Sequence, residues 1–553
     1  MLRLIIVLPF LSHCILIVQG KFSKKVFFED GMLKGYAYKE TKESNDDIMC
    51  ALFQYDSYNE TGWSILEAQS NQYKLSDVEQ AQCVGELEGA YTADAIYIQY
   101  FNNIKSWCKG RKETCKKVYS FLDQHLEWTQ QEIKDRGDSD PIWHHVDIFF
   151  NHITGLYTGY QEVLIDPKKN LTLLDFIVMN LQPDLDDVAD ALEGDVSSKV
   201  RGDTRCSAIV KLVSHNQDLL VGHNTWTTYS QMYRQLKKYN MPLHKTGKSK
   251  SFAPTRMISF SGYPGVITSQ DDFYTTSSRM VVLETTIGNY NASRWQYVTP
   301  TGQLFDSVRS LIAMRLADSG RTWSKTFSQY NSGTYNNQWM IVDLKKFKKG
   351  MKPKPGTLWI LEQIPGYIRY EDQTSRLVSQ GYWPSYNVPF YKDVFDLSGN
   401  QELVDKYGDW FSYDKTPRAL IFHRNQSSVT DLDSLMKLLR YNNYKNDPHS
   451  VCNCTPPYSA ENAIAARSDL NPKKGRYPFP ALGHRCHGAI DAKVTSSELV
   501  HNLTFKAISG PTTGNNLPLF RWSTSDFKHL PHMGQPDSFQ FDPLTWQWWG
   551  PFF

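Results

Sequence analysis

The sequence carries almost no excess of either charge: 60 basic residues stand against 58 acidic ones, a formal net charge of +2. No global field therefore draws in nucleic acid or an anionic bilayer, and any partner has to be recognised locally. Cysteine is scarce as well. Nine in 553 residues are too few for a scaffold built from disulfides, and an odd count means that at least one is unpaired, catalytic or removed. After the N-terminus no apolar run reaches the roughly 20 residues that a bilayer span requires, and there is no internal repeat and no low-complexity tract. The signatures G-x-S-x-G, H-E-x-x-H, G-x-x-x-x-G-K-[ST], G-x-G-x-x-G and C-x-x-C are all missing. Their absence weakens the case for an α/β-hydrolase, a zincin, a nucleotide binder or a thioredoxin-like enzyme. No cofactor and no metal are expected.

What is there is aromatic and apolar. With 15 Trp, 31 Tyr and 28 Phe, and 41% apolar against 21% charged residues, the chain is neither disordered nor collagen-like. Its length allows a sizeable core, in several domains or one large one. Arg3 precedes an apolar run over residues 4–18 that ends at Val18-Gln19-Gly20, the pattern of a signal peptide over residues 1–20. Cys14 leaves with it, and the mature chain is expected to have no integral membrane segment. N-x-S/T sequons at Asn59, Asn170, Asn291, Asn425, Asn453 and Asn502 fit a glycoprotein of the secretory route. In that oxidising setting Cys108 and Cys115 are expected to close a small ring around a polar loop, and Cys452 and Cys454 a tighter one. With Cys206 reserved for chemistry, one of Cys50, Cys83 and Cys486 must then stay unpaired.

Residues 25–70 mix short strand-like pieces. Apolar residues at three-to-four spacing predict helices over 84–107, 118–134 and 142–163. His144, His145 and His152 lie in the last of these beside Trp143 and Phe149 and read as core or helix-surface histidines rather than a metal site. The acidic run over 184–190 reads as a solvated helix face. A polar segment over 193–205 follows and stops at Cys206. Beyond it short apolar runs over 208–213 and 218–223, separated by Ser214-His215-Asn216-Gln217, predict a hairpin. A helix is predicted over 229–239 and strands over 257–260, 280–286, 339–344 and 357–364. The C-terminal stretch, rich in Pro, Asn and Trp, reads as long loops wrapping a core. The expected organisation is a helical part over 21–205 and a β-rich part over 206–553, joined at the polar segment.

A cysteine directly after a polar linker and directly before a hairpin is placed to become a new N-terminus if the linker is cut. Such a residue carries its own base. A free α-amine has a pKa of roughly 7.7–8.0, so it can take the thiol proton and return it to a leaving group. On spacing alone, a small buried strand residue or half of a disulfide explains Cys206 at least as well.

The segments Cys206-Ser207-Ala208-Ile209-Val210-Lys211, Asp218-Leu219-Leu220-Val221-Gly222-His223-Asn224-Thr225-Trp226, Tyr335-Asn336-Asn337-Gln338-Trp339, Ser385-Tyr386-Asn387-Val388-Pro389-Phe390 and Tyr458-Ser459-Ala460-Glu461-Asn462-Ala463-Ile464 together resemble the phospholipase B-like family. The resemblance covers essentially the whole mature chain. It implies an α+β fold of the N-terminal-nucleophile hydrolase type, a four-layer αββα sandwich, matured by cleavage between Arg205 and Cys206 with both fragments staying associated. It also implies a lysosomal or secreted acyl hydrolase, in which Cys206 attacks an ester or amide of a lipid-like substrate and forms a thioester.

Under that resemblance His223 and Trp226 flank the nucleophile at the end of the hairpin, His223 to position substrate or assist proton transfer and Trp226 to contact substrate. The related choloylglycine hydrolases carry Arg and Asp in the corresponding segment, so the pocket here is less charged. Asn387 is the first candidate for an oxyanion donor, or else a turn former before Pro389. Arg418, at the start of what reads as an apolar strand, either supports the nucleophile or pairs with a carboxylate. Thr286 and Asn337 are further substrate-contact candidates. A weakly catalytic or inactive lipid-binding protein on the same fold is the alternative, and a papain-type protease has no C-G-x-C-W context to support it.

Overall fold

The computed structural model describes residues 22–29, 32–40, 48–196 and 206–548. The expected signal peptide and Arg205 lie outside them. The strands after Cys206 are short runs buried on both faces, successive side chains pointing to opposite sides, and they assemble with the N-terminal strands into two main sheets. The larger has eleven strands, in the edge-to-edge order Phe22–Glu29, Met32–Glu40, Ile48–Ser57, Trp63–Ser70, Gln235–Asn240, Met257–Gly262, Phe273–Thr276, Met280–Thr286, Asn337–Asp343, Leu358–Ile364 and Tyr367–Asp372. All neighbours are antiparallel except Trp63–Ser70 with Gln235–Asn240, whose parallel register sets Ser64 against Gln235. That pair joins the chain before the polar segment to the chain after it. The smaller sheet orders Tyr382–Ser385, Ser207–Leu212, Leu219–Asn224, Asp491–Ser496, Lys506–Ser509 and Leu544–Thr545.

The core clusters define how these pieces stack. Leu66, Tyr239, Phe260, Val282 and Ile341 of the large sheet pack against Val84, Leu87, Phe149, Leu156 and Leu185 of the N-terminal helices. The other face of the same sheet, with Ile65, Phe273, Val281, Leu283 and Met340, meets Ala208, Val210, Leu219 and Val221 of the small sheet. Ile209, Leu220 and Val494 point the opposite way and lie under Phe422, Leu435 and Leu439. Residues one apart in a strand thus feed two cores, each buried Val or Leu stabilising by about 1.5–3 kcal/mol.

Most predicted elements are found, with boundary changes. The stretch over 84–107 is two helices, Asp77–Tyr91 and Ala93–Asn103, and the others are Lys112–Arg136 and Pro141–Glu162. The predicted hairpin is the antiparallel pair Ser207–Leu212 and Leu219–Asn224. Besides the strand expected at Arg418, taken up below, three expectations fail. The segment over 229–239 is not a helix: a 3-10 turn, Tyr229–Gln231, leads into the central strand Gln235–Asn240, because Lys237 and Tyr239 take up the Glu88 carboxylate at 2.5 and 2.6 Å beneath the N-terminal helices. The acidic run is not a solvated face, since Asp184 and Asp187 are buried. Asp184 accepts from the backbone N–H groups of Asp306 and Ser307 and from Thr334 Oγ1, and Asp187 from the Tyr335 N–H. The C-terminal stretch contributes strands to the small sheet as well as loops.

Cys108–Cys115 and Cys452–Cys454 are disulfide-bonded, as is Cys50–Cys83, which among the described residues leaves Cys206 and Cys486 free and buried. His145 and His152 are core residues, and His144 bonds the Asp77 carboxylate at 2.7 Å. Among the described residues no helix is long and apolar enough to cross a membrane.

Helices Asp77–Tyr91 and Pro141–Glu162 approach each other at glycine. A Cβ on Gly85 or Gly89 would run into the carbonyl oxygens of His152 or Leu156, and one on Gly155 or Gly159 into those of Gln82 or Glu86. Both helices therefore use a glycine pair four residues apart, one turn along the same face. Gly159→Ala is expected to destabilise the protein by about 3 kcal/mol through overpacking, read as an earlier midpoint in denaturant unfolding.

Candidate active site

The nucleophile candidate sits where the small sheet begins. Cys206 precedes the strand Ser207–Leu212, is buried, and has φ of 80°, a left-handed conformation that costs a non-glycine residue about 1–3 kcal/mol. The surrounding contacts hold it there. Ser207 N–H donates to Asn224 Oδ1 at 2.8 Å, while Asn224 Nδ2 donates to the carbonyls of Leu439 and Ile464 at 2.6 and 2.8 Å. Arg418 Nη1 donates to the Cys206 carbonyl at 2.8 Å and to Ser207 Oγ at 3.2 Å, and its guanidinium lies 4.4 Å from the Trp226 ring centroid. Burial pulls Arg418 down to about 10, an effect that Glu461 partly offsets. The predicted strand at Arg418 is corrected here. It lies in the first turn of helix Pro417–Asn425, since Pro417 supplies the preset φ of a first helical position.

The thiol faces a mostly carboxylate and carbonyl environment. Burial and the nearby Glu284 push the Cys206 thiol well above its ordinary range, while the Trp226 backbone N–H and Lys493 act in the opposite sense. Its sulfur is 4.0 Å from the Asp271 carbonyl. His223 is wholly buried and held neutral by burial and by Lys493; its Nε2 lies 3.0 Å from the Glu284 carbonyl, and Nδ1 has no protein partner. A donor atom from each of Cys206, His223 and Glu284 falls within 4.8 Å of the others. Glu284 was not among the residues anticipated from sequence, although a carboxylate inside Met-Val-Val-Leu-Glu-Thr-Thr, an otherwise apolar run, is a signal for it.

Beneath the thiol lies a closed charge network. Arg234 pairs with both Asp271 and Asp491, Lys493 Nζ lies 2.8 Å from Asp491 and 3.9 Å from Asp271, and all four side chains are fully buried. Ser261 and Tyr263 hydroxyls donate to Asp271 at 2.8 and 2.7 Å, and Thr225 N–H and Oγ1 bond Asp491 and Lys493 at 2.8 and 2.6 Å. Two cations and two carboxylates make the group internally neutral. Sequence reasoning missed it, because its members are scattered over 234–493.

The remaining candidates divide. Asn387, with φ of 69°, follows the strand Tyr382–Ser385, whose register sets Ser385 opposite Ala208. Two residues onward and two back, Asn387 and Cys206 occupy the same end of that pair. The Asn387 amide donates to the Thr286 carbonyl at 2.6 Å, so this N–H is engaged. Thr286 and Asn337 are cross-strand partners. The Thr286 hydroxyl and both polar atoms of the Asn337 amide are buried without a protein partner, which are groups that water or a bound molecule would satisfy. Trp226 is buried, its Nε1 donating to the Ile464 carbonyl at 3.2 Å. Its ring supports Arg418. None of the six sequon asparagines is buried, and Asn453 is exposed between the paired Cys452 and Cys454.

Residues 49–546 match the family model described as phospholipase B. The chain is 42% identical to "Putative phospholipase B-like 1" of Caenorhabditis elegans, covering 92% of this chain and 90% of that protein. It is 46% identical to "Putative phospholipase B-like 2" of Homo sapiens, over 89% of this chain and 85% of that protein. Phospholipase B-like protein A of Dictyostelium discoideum is 35% identical over 88% and 86%.

The loop that carries Asn387 is pinned by Glu362, whose carboxylate accepts from the Phe390 and Tyr391 N–H groups at 2.6 and 3.1 Å and from Gln338 Nε2. Burial pushes this carboxyl up to about 7 from an ordinary 4.5. The folded chain holds the proton more tightly than the unfolded one, so the stabilisation is complete at low pH and is lost as pH rises through the folded value. Between about pH 5 and about pH 8, Glu362→Gln is therefore expected to lose less stability than the wild type, compared by chemical unfolding at each pH.

Proposed function

Because the chain belongs to the phospholipase B family, we propose that it is an acyl hydrolase of the secretory route or lysosomal lumen, acting through Cys206 after cleavage of the Arg205–Cys206 bond. The observation that carries this proposal is the setting of Cys206: a buried cysteine at φ of 80°, its carbonyl held by Arg418 and its strand by Asn224. On this proposal the stacked sheets and helices are an N-terminal-nucleophile hydrolase sandwich, with the fragments before and after Cys206 held together by the shared large sheet.

Maturation starts with the thiol attacking the Arg205 carbonyl carbon. A C–S bond forms, the C–N bond to Cys206 breaks, and the thiol proton ends on the released amine; water then hydrolyses the thioester. The left-handed strain at Cys206 favours this step, since a chain terminus no longer has that φ to maintain. Before cleavage the buried thiol stays protonated. Afterwards the α-amine supplies the base that the surroundings lack. It takes the thiol proton as sulfur attacks the substrate acyl carbon, gives it to the departing alcohol or amine, and then takes a proton from the water that hydrolyses the acyl-enzyme. Arg418 fixes the Cys206 carbonyl and with it the direction of amine and thiol. Neutral His223 borders the reacting sulfur. Asn387 is the side chain assigned to the oxyanion, exchanging its bond to the Thr286 carbonyl for one to the developing charge. The unpartnered Thr286 and Asn337 groups meet the polar part of a lipid-like substrate.

Precursor incubated at mildly acid pH is expected to yield a fragment whose N-terminal sequence is Cys-Ser-Ala. Cys206→Ser should process slowly, and Cys206→Ala neither processes nor turns over, with acyl-ester or acyl-amide hydrolysis down by ~10³-fold or more. Unchanged hydrolysis by the alanine variant would place the chemistry elsewhere, and the absence of any covalent acyl adduct on Cys206 would favour a lipid-binding protein. Arg418→Lys keeps the charge but loses the planar guanidinium that lies over the Trp226 ring and aims one Nη1 at both Cys206 O and Ser207 Oγ, and should slow processing, as followed by fragment appearance on gels.

A further inference from the structure

Cys206, His223 and Glu284 form a group that the acyl-transfer scheme does not exhaust. They come from three strands or strand ends: the start of Ser207–Leu212, the end of Leu219–Asn224, and the facing strand Met280–Thr286 of the other sheet. All three are buried, and a sulfur, a ring nitrogen and a carboxylate oxygen lie within 4.8 Å of one another. Thiolate, imidazole and carboxylate are together the donor set of a borderline-soft divalent ion. We infer that this cluster binds one divalent transition-metal ion, zinc by ligand preference, and that the bound ion blocks the nucleophile.

Three further observations support the site. His223 Nε2 lies 3.0 Å from the Glu284 carbonyl, so this nitrogen carries the hydrogen and donates it. The lone pair is left on Nδ1, which is buried and has no protein partner. A ring whose second nitrogen is fixed by a carbonyl is the arrangement that orients metal-binding histidines. The charge also balances: the neighbouring Arg234, Asp271, Asp491 and Lys493 sum to zero, and a thiolate plus a carboxylate match a divalent cation. The span is close to what is needed. Ligands at about 2.0–2.3 Å from a tetrahedral ion are separated by about 3.3–3.8 Å, so the three side chains close by up to about 1.5 Å.

Binding expels the thiol proton to solvent as the S–metal bond forms. In the uncut chain the fourth position falls to water, because the Cys206 nitrogen is an amide. Cleavage turns that nitrogen into an amine, which joins the sulfur of the same residue in a five-membered chelate. This second part rests on the cleavage proposed above; the three-ligand site does not. The processed protein therefore holds the ion more tightly, and the ion occupies nucleophile and base at once.

The experiment uses the full chain, stripped with chelator and dialysed against Zn²⁺ or Co²⁺, in uncut and processed forms. One ion per chain is expected, with a thiolate-to-cobalt charge-transfer band that disappears in Cys206→Ser. Affinity should fall at least ~10-fold in His223→Gln and in Glu284→Gln, variants whose thermal unfolding shows that they fold, and the band should persist in Cys486→Ala. Zn²⁺ is expected to stop hydrolysis by the processed form and chelator to restore it. No stoichiometric ion, or a band that survives Cys206→Ser or needs Cys486, overturns the site. If the ion binds as described but neither cleavage nor hydrolysis occurs, the metal site stands and the hydrolase proposal fails; hydrolysis indifferent to Zn²⁺ at saturation overturns the block.

Discussion

The site depends on the buried quartet of Arg234, Asp271, Asp491 and Lys493. Burying four charges is costly, and they are tolerated only when each is paired and its remaining hydrogen-bonding capacity is met. Arg234 and Asp271 belong to the large sheet and its loops, Asp491 and Lys493 to a strand of the small sheet. Only one relative placement of the two sheets closes all the pairs. Apolar side chains alone would let the layers slide by a fraction of a residue, whereas a missed ion pair leaves an uncompensated charge in the interior. Thr225, bonded to Asp491 and Lys493, transmits that placement to Trp226 and the end of the hairpin, and the Asp271 carbonyl meets the thiol directly.

A nucleophile in such a place faces a contradiction. Burial shields it from solvent, yet burial and the Glu284 charge hold the thiol in its protonated, unreactive form. The proposed cleavage would resolve this by adding a titratable amine on the same residue without opening the core. The residues that grip Cys206 all act on its backbone side: Arg418 on its carbonyl, Asn224 on the next N–H. They leave the sulfur and the nitrogen to the chemistry.

The helical part has its own close-contact logic. Interlocked glycines bring helices Asp77–Tyr91 and Pro141–Glu162 to backbone contact. That platform covers the face of the large sheet opposite the site, and Glu88 anchors it to Lys237 and Tyr239 on a strand from beyond the polar segment. Asp184 and Asp187 do the same for the start of helix Asp306–Leu316 and the loop around 335. These carboxylates looked like surface in the sequence, because a run of acidic residues on a helix has no internal mark distinguishing a solvated face from one that caps buried N–H groups across the core.

Local pattern carried much of the architecture. Short apolar runs bounded by turn residues located the hairpin and the strands at 257, 280, 339 and 357, three-to-four spacing located the long helices, and the position of Cys206 between a polar linker and a hairpin marked the candidate nucleophile. The short-range disulfides were legible because a loop of a few residues can only close on itself. Other features needed the folded chain. Residues 229–239 carry enough helix-like spacing to mislead, and became a central strand because the parallel pairing with Trp63–Ser70 and the Glu88 contact outweigh local propensity. Arg418 moved from a supposed strand to a helix start for the reason Pro417 provides, while its contact with the Cys206 carbonyl spans more than two hundred residues of sequence. Glu284 and the buried quartet were invisible for the same cause. Sequence determines which residues are able to carry charge or donate a hydrogen bond, and their local geometry. Which of them share one buried space is decided by long-range packing, where the cost of burying a charge selects the partners.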